Sequence, residues 1–212
     1  MPPDQIIYVV DDDEAVRESL QWLLESVSLP VRTFASAQEF LDAYDPDCGG
    51  CVVLDVRMPG MSGLEVQKRL AEIEHSLPVI IITGHGDVPM AVRALKAGAV
   101  DFIEKPFNDQ TLLERIYECL EQDRARRELR NYRRVLHERM QHLTPRERQV
   151  LDGVVAGKVN RTIADELGIS GKTVEAHRAN IIKKMGASSL AELITMCITM
   201  GLMEKGQEPP AE

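Results

Sequence analysis

The sequence predicts a doubly wound, five-stranded parallel α/β sheet followed by an all-α domain. Three observations carry this. Five short apolar segments alternate with amphipathic helical patterns through the first half of the chain. Strand patterns then cease, and only short helical patterns follow. The charge divides at the same place: residues 1–123 hold 9 Lys+Arg against 23 Asp+Glu, a net −14, whereas residues 124–212 hold 16 against 11, a net +5. An acidic half joined to a basic half suggests a signalling module tied to a module that binds a polyanion.

Each element has its own reason. Ile6–Val10 is a β-prone apolar run that stops on three carboxylates, Asp11, Asp12 and Asp13. Glu14–Val27 places Val16, Leu20, Leu23, Leu24 and Val27 on one helical face. Val31–Phe34 is a short strand, and Ser36-Ala37-Gln38-Glu39 has the spacing of a capping box that opens a helix to Ala43. Cys51–Leu54 is a buried strand ending on Asp55. Ser62-Gly63-Leu64-Glu65 is a second capping box, opening a helix to about Ile73. Pro78–Ile82 is the fourth strand and ends on Thr83; Val88–Ala97 is a helix stopped by Gly98. Val100–Glu104 is the fifth strand, and Asn108 caps the helix after it. Strands alternating with helices pair in parallel through crossovers.

That last helix shows no stop signal. Arg124–His142 is heavily charged, lacks Gly and Pro, and carries Leu129, Leu136 and Leu143 seven residues apart. It reads as a helical linker whose narrow apolar stripe either pairs with a second chain or lies on a neighbouring domain. Thr144-Pro145-Arg146-Glu147 then opens the second half, with Thr at the N-cap, Pro in the first turn and Glu three residues after the cap. Helices follow at about Arg146–Ala156, Asn160–Leu167, Gly171–Met185 and Ser189–Met200. The stretch from Gly201 to Glu212 is Gly/Pro/Glu-rich and expected to be disordered.

No apolar run is long enough to span a bilayer and no leader is evident, which predicts a cytoplasmic protein with no membrane partner. Four cysteines fit reduced thiols there. Cys48-Gly49-Gly50-Cys51 spells a C-x-x-C, but no second pair or His cluster completes a zinc site, and Cys51 opens an apolar strand, so it reads as core.

A doubly wound sheet binds its ligand outside the carboxyl ends of the strands. That edge gathers Asp11, Asp12, Asp55 and Thr83, and Glu104-Lys105-Pro106-Phe107 adds a lysine. Carboxylates with one lysine and one hydroxyl suit Mg²⁺, or Mn²⁺, together with phosphate oxygens. A carboxylate can also act as nucleophile and form an acyl phosphate without a general base, while metal, lysine and hydroxyl neutralise the transferring oxygens. A Ca²⁺ site would have no use for Lys105. His85, between two glycines, reads as a loop residue rather than a catalyst.

These stretches resemble the response-regulator receiver family over roughly residues 4–123: Val10-Asp11-Asp12, Leu54-Asp55-Val56-Arg57-Met58-Pro59-Gly60, Ile82-Thr83-Gly84-His85-Gly86 and Phe102-Ile103-Glu104-Lys105-Pro106. The Thr-Gly-His-Gly stretch is similar to the FixJ-like subgroup. The resemblance implies that Asp55 accepts phosphate from a sensor kinase histidine. It implies that Asp12 binds Mg²⁺ directly, Asp11 mostly through water, and Arg57 through its backbone carbonyl. Thr83 and Phe102 would form a switch pair, and Lys105 would contact the phosphoryl oxygens, with a cis bond before Pro106. Phosphorylation adds charge and acceptor oxygens toward which Thr83 moves, vacating space for Phe102. The altered surface, Val88–Ala97 with Val100–Phe102, commonly pairs two receivers in this family. Asp13 is left to cap the first helix.

In the basic half, Thr162–Met185 has a helix-turn-helix layout, with Leu167-Gly168-Ile169 at the turn and Ser170 capping the next helix. Val174, Arg178, Ile181 and Met185 share one face; Lys172, Ala176, Ala179 and Lys183 lie opposite, flanked by Glu175 and Asn180. The outer face suits a major groove: the alanines can touch thymine methyls, Glu175 can accept from cytosine and Lys172 can donate to guanine. His177, Arg178, Lys183 and Lys184 suit phosphates, as do Lys158, Asn160 and Arg161 at the preceding helix. Leu143-Thr144-Pro145-Arg146-Glu147-Arg148, Ile163-Ala164-Asp165-Glu166-Leu167-Gly168-Ile169-Ser170 and Lys172-Thr173-Val174-Glu175-Ala176-His177-Arg178 resemble the LuxR-type helix-turn-helix over about residues 140–204. Thr173 enters the DNA-facing set through this resemblance. Glu175 stands where several relatives carry lysine, so their base preference does not transfer.

The resulting expectation is a response regulator of the FixJ-like type. It has a flavodoxin-like receiver at 1–123, a helical linker at 124–142, a DNA-binding domain at 143–204 and a tail at 205–212. Its partners are a sensor kinase, promoter DNA and a second copy of itself, with RNA polymerase a further candidate. It is not an enzyme beyond its own phosphoryl transfer. An aspartyl-phosphate hydrolase of the haloacid dehalogenase kind would need a second Asp two residues after the nucleophile, where this chain has Arg57.

Overall fold

The structure, a computed structural model, describes residues 5–73, 77–84 and 86–202. His85 and the stretch 203–212 lie outside these residues. The chain divides into two compact units, Met1–Arg127 and Glu128–Glu212.

In the first unit the elements run β1 (Gln5–Val10), α1 (Glu14–Ser26), β2 (Val31–Phe34), α2 (Ala37–Ala43), β3 (Gly49–Asp55), α3 (Gly63–Glu72), β4 (Val79–Thr83), α4 (Val88–Lys96) and β5 (Asp101–Glu104). The strands pair in parallel in the order β2-β1-β3-β4-β5. The chain order reverses between β1 and β3, which opens a crevice at their carboxyl ends. The strands are near-continuous apolar runs because both faces are covered. Tyr8, Val10, Leu54 and Ile81 pack on one side with Phe40, Val66 and Leu70, and Ile7, Val9, Val53 and Ile80 on the other with Leu20, Leu24 and Ile116.

β3 begins at Gly49, two residues before the apolar run. Gly50 has φ +139°, and a Cβ there would collide with the Ile6 carbonyl on β1. Only glycine lets the two strands pair so early, and a reading based on apolar side chains misses it. Val27 is the C-cap of α1 and is exposed rather than part of its buried face. The Ser36 box is half formed: Ser36 Oγ accepts from the Glu39 amide, but Glu39 Oε2 accepts from the Ala35 amide instead of closing on Ser36. The Ser62/Glu65 box is complete.

Helix α5 (Asp109–Gln141) runs through the charged segment without a break. Leu112, Leu113, Ile116, Cys119 and Leu120 pack in the first unit, and Leu136 in the second. The second unit continues with α6 (Pro145–Val155), α7 (Asn160–Leu167), α8 (Gly171–Met185) and α9 (Leu190–Thr199). Its core joins Leu136, Leu143, Val150, Ile163, Val174, Ile181, Met185 and Leu193. Gly168, at the turn between α7 and α8, adopts the left-handed conformation with φ +65°. Among the described residues no helix is long and apolar enough to cross a membrane. Cys48, Cys51, Cys119 and Cys197 are free thiols, and Cys51 is fully buried as core.

Candidate functional site

The β1 run ends on Asp11 because its last apolar residues are completely buried and the next side chain emerges at the crevice. Asp11 is itself 1% exposed, and Asp55, ending β3, is 4% exposed. Two carboxylates so withdrawn from water need a cation. Lys105 supplies it from the loop after β5: its Nζ donates to Asp11 Oδ2 at 2.5 Å and to Asp55 Oδ1 at 2.7 Å. The Lys105–Pro106 bond in that loop is cis, as the resemblance implied. Asp55 Oδ2 accepts from the Arg57 amide at 2.5 Å, and Asp11 Oδ1 from the Asp13 amide at 3.0 Å.

Burial pushes the Asp11 carboxyl above its ordinary value, with Lys105 and the Asp13 amide pulling against it. Burial also works against the Lys105 ammonium, but its two carboxylate partners outweigh that and hold its pKa above the usual lysine value. Asp12 is exposed beside the site, whereas Asp13 is the N-cap of α1, accepting from the Ala15 amide at 2.9 Å. The expected capping role of Asp13 is thus observed.

Thr83 is fully buried at the end of β4, and Phe102 on β5 is half-buried. A Cβ on Gly86 would lie 2.9 Å from the Phe102 ring and 3.3 Å from the Thr83 methyl, so this glycine lies against both members of the expected switch pair. Gly63, at the start of α3, comes so close to the Asp55 carbonyl that no side chain fits there. Its amide donates to the Val56 carbonyl at 3.0 Å.

A divalent ion fits this donor set by chemistry. Asp11, Asp12 and Asp55 offer only oxygen, and the two buried carboxylates share a single monovalent counter-charge. Among the described residues no three acidic, His or Cys side chains converge as a metal-binding group, and Lys105 bridges Asp11 and Asp55. A groove of about 500 Å³ lined by Val16, Leu20, Lys105, Pro106 and Phe107 opens beside the site. Sequence periodicity marked Val16 and Leu20 only as core.

In the second unit, Val174, Ile181 and Met185 anchor α8 in the core. Lys172, Thr173, Glu175, Ala176, Ala179 and Lys183 are exposed, and His177 and Arg178 are half-buried. Arg178 donates through Nη1 to Asn160 Oδ1 at the start of α7, so these two are joined to each other. Arg161 is exposed beside them. Lys184 donates to Glu147 Oε2 at 2.6 Å, and Lys158 pairs with Glu166 at 2.7 Å. Charge counting along a sequence does not show which cations pair with the protein's own carboxylates.

The family model of the response regulator receiver domain matches residues 7–117, and that of the bacterial regulatory proteins of the luxR family matches residues 141–197. Nodulation protein W of Bradyrhizobium diazoefficiens is 48% identical over 93% of this chain and 87% of its own. The transcriptional regulatory protein FixJ of Azorhizobium caulinodans is 47% identical over 99% of this chain and 100% of its own. Among solved structures, the response regulator StyR aligns with a TM-score of 0.82 at 46% identity, covering 92% of this chain and 98% of that one. Full-length FixJ from B. japonicum aligns with a TM-score of 0.57 at 46% identity, covering 94% and 98%. The lysine-bridged carboxylates at the sheet's switch point and the helix-turn-helix of the second unit thus fall inside the two matched regions, and the chain belongs to the FixJ-like response regulators of two-component systems, which join a receiver to a LuxR-type DNA-binding domain.

Proposed function

We propose that Asp55 accepts a phosphoryl group from the histidine of a cognate sensor kinase, and that this promotes dimerisation and sequence-specific DNA binding. The observation that carries the reading is the single ammonium of Lys105 bridging two buried carboxylates at the switch point. An Asp55 oxygen attacks phosphorus. The P–N bond to the donor imidazole breaks, and its electron pair stays on the ring nitrogen, which takes up a proton. Mg²⁺ or Mn²⁺, held by Asp11, Asp12, Asp55 and the Arg57 carbonyl, would supply neutralising charge to the phosphoryl oxygens. Lys105 follows Asp55 onto those oxygens, the Thr83 hydroxyl donates to another, and Phe102 fills the space left behind. The receiver turns over no substrate other than its own phosphoryl group.

The exposed apolar residues of α4, Val88, Val92 and Leu95, support pairing of two copies through the Val88–Phe102 face. The paired chains would read promoter DNA in the cytoplasm with α8, most simply to activate transcription, with RNA polymerase as a further partner. Incubation with acetyl phosphate and Mg²⁺ tests the first step: intact mass should rise by one phosphoryl group, and chelation of the metal should prevent it. Absence of any gain would remove the receiver reading. Binding to duplex DNA should weaken steeply with added salt as phosphate contacts release counterions; a flat dependence would contradict a phosphate-anchored helix-turn-helix.

Removing the bridging ammonium has its own signature. Without divalent ions, Lys105→Ala should destabilise the first unit by about 3 kcal/mol, because two buried carboxylates then face each other. Saturating Mg²⁺ should recover most of that. Asp11 would be pushed further in the direction burial already drives it. A raised carboxyl pKa contributes stability that is present in acid and lost as pH rises through that pKa, so the deficit should shrink from pH 7 toward about pH 4. Melting curves across pH, with and without Mg²⁺, read both effects; a variant that melts like wild type throughout refutes them.

A further inference from the structure

The carboxyl ends of α5, α7, α8 and α9 share one device. Arg146 of α6 donates to the Leu167 carbonyl at the end of α7, and Arg148 of α6 donates to the Met140 carbonyl at the end of α5, at 3.2 Å. Arg133 of α5 donates through Nε to the Thr199 carbonyl at the end of α9, at 2.9 Å. Arg139 of α5 donates through Nη1 to the Met185 carbonyl, the last residue of α8, at 2.7 Å. Each guanidinium meets the negative end of a helix dipole and a carbonyl left without an intrahelical partner.

The two that hold α8 and α9 come from the segment read in the sequence as linker, and both precede residue 141, where the LuxR-family match begins. Leu136, between them, is completely buried in the second unit's core. From Glu128 onward α5 is therefore built into this unit. The space for Arg139 is specific: Gly186, the C-cap of α8 with φ +71°, would place a Cβ 2.7 Å from Arg139 Nη1. A side chain there would displace the guanidinium.

We propose that Arg139 is a positioning residue for DNA recognition, holding the carboxyl end of α8 so that Lys172, Glu175 and Ala176 meet the bases in one orientation. The inference rests on the DNA-binding reading above. α8 has 15 residues and is therefore about 22 Å long. Its apolar face, Val174, Ile181 and Met185, holds it against the core, and the Arg139 bond adds a directional restraint on its carboxyl end that non-directional apolar packing does not supply. A small tilt at Met185 displaces the base-reading residues at the opposite end, whereas flexible lysines can still find phosphates. Loss of the clamp should thus reduce specific binding more than non-specific binding.

The test uses the full chain activated with Mg²⁺ and beryllofluoride. Two duplexes serve as probes: one selected by the wild-type protein from a random library, and a scrambled duplex of the same length. Arg139→Ala should bind the selected duplex about tenfold more weakly and the scrambled one within about twofold of wild type, the loss expected for misplaced base contacts with intact phosphate contacts. Arg139→Lys, which can still donate to the Met185 carbonyl, should restore most of the ratio. Amide exchange should quicken in Arg139→Ala over the last turn of α8 and at Ala187, and stay unchanged in α6 and α7. An unchanged ratio with wild-type binding intact would overturn this proposal alone. Equal losses on both duplexes, without rescue by lysine, would assign Arg139 to fold stability only and overturn it too. Failure of the wild-type chain to select any duplex would overturn the DNA-binding reading, and this one with it.

Discussion

Asp55→Asn is expected to abolish phosphoryl uptake from acetyl phosphate or a kinase, leaving the intact mass unchanged where wild type gains one phosphoryl group. The amide keeps the shape of the carboxylate but offers no anionic oxygen to attack phosphorus. It also disturbs the resting site in a definable way. Both Asp55 oxygens accept: Oδ1 from Lys105 at 2.7 Å and Oδ2 from the Arg57 amide at 2.5 Å. In asparagine one of those positions becomes an NH₂ donor facing a donor. Either Lys105 or the Arg57 amide then loses its partner, at a cost of about 1–3 kcal/mol. Lys105 retains Asp11 in that case, so the amide should turn its oxygen toward Arg57 and the loss should fall on the lysine contact. Mass spectrometry with acetyl phosphate reads the first effect, and melting without divalent ions reads the second. A full phosphoryl gain in the variant would move the acceptor away from Asp55.

What the sequence revealed of this site follows from where each strand stops. Apolar runs ending in Asp11, Asp55 and Thr83 identify a shared edge because parallel strands buried on both faces must emerge there. The sequence could not show that Lys105 already occupies the space between Asp11 and Asp55, because that depends on its side chain reaching from the end of β5, past β4, to the ends of β3 and β1. The same boundary explains the second unit. The capping box at Thr144 is local and was legible; the pairings Lys184–Glu147 and Arg178–Asn160 join residues 37 and 18 positions apart and were not.

The fold shows a parallel contrast. Alternating apolar runs and capped helices named every strand of the sheet, while β3 gained two residues through glycines that carry no hydrophobic signal. The leucines at 129, 136 and 143 left two readings open. Leu136 and Leu143 are core residues of the second unit, and Leu129 is exposed. A seven-residue spacing alone does not distinguish a helix packed within its own domain from one awaiting a second chain, since both need one apolar stripe.

Glu147 is the residue on which the second unit's acid stability should turn. It is buried at 3% exposure, accepts from the Thr144 amide at 2.8 Å within the capping box, and pairs with Lys184 Nζ at 2.6 Å. Lys184 above all, with the Thr144 amide, holds its carboxyl at about 2, well below the ordinary value of 4.5. A depressed carboxyl pKa contributes stability that is complete above the unfolded value and is lost as pH falls toward the folded one, so the window lies between about pH 4.5 and about pH 2. Glu147→Ala should cost about 2–3 kcal/mol at pH 7, because it opens half of the capping box, takes the partner from the Thr144 amide, removes the ion pair with Lys184 and leaves a void. That deficit should narrow through the same acid window. Glu147→Gln retains a side-chain oxygen for the Thr144 amide, so it should cost less, about 1 kcal/mol. It also releases Lys184, at the carboxyl end of α8, to reach phosphate. Non-specific duplex binding should then strengthen, and its salt slope should steepen by about one counterion. Amide exchange over α6 and α8 localises the stability change, and salt titration of duplex binding reads the second effect. Equal destabilisation by both substitutions would mean that the ion pair with Lys184, not the cap, carries Glu147's contribution.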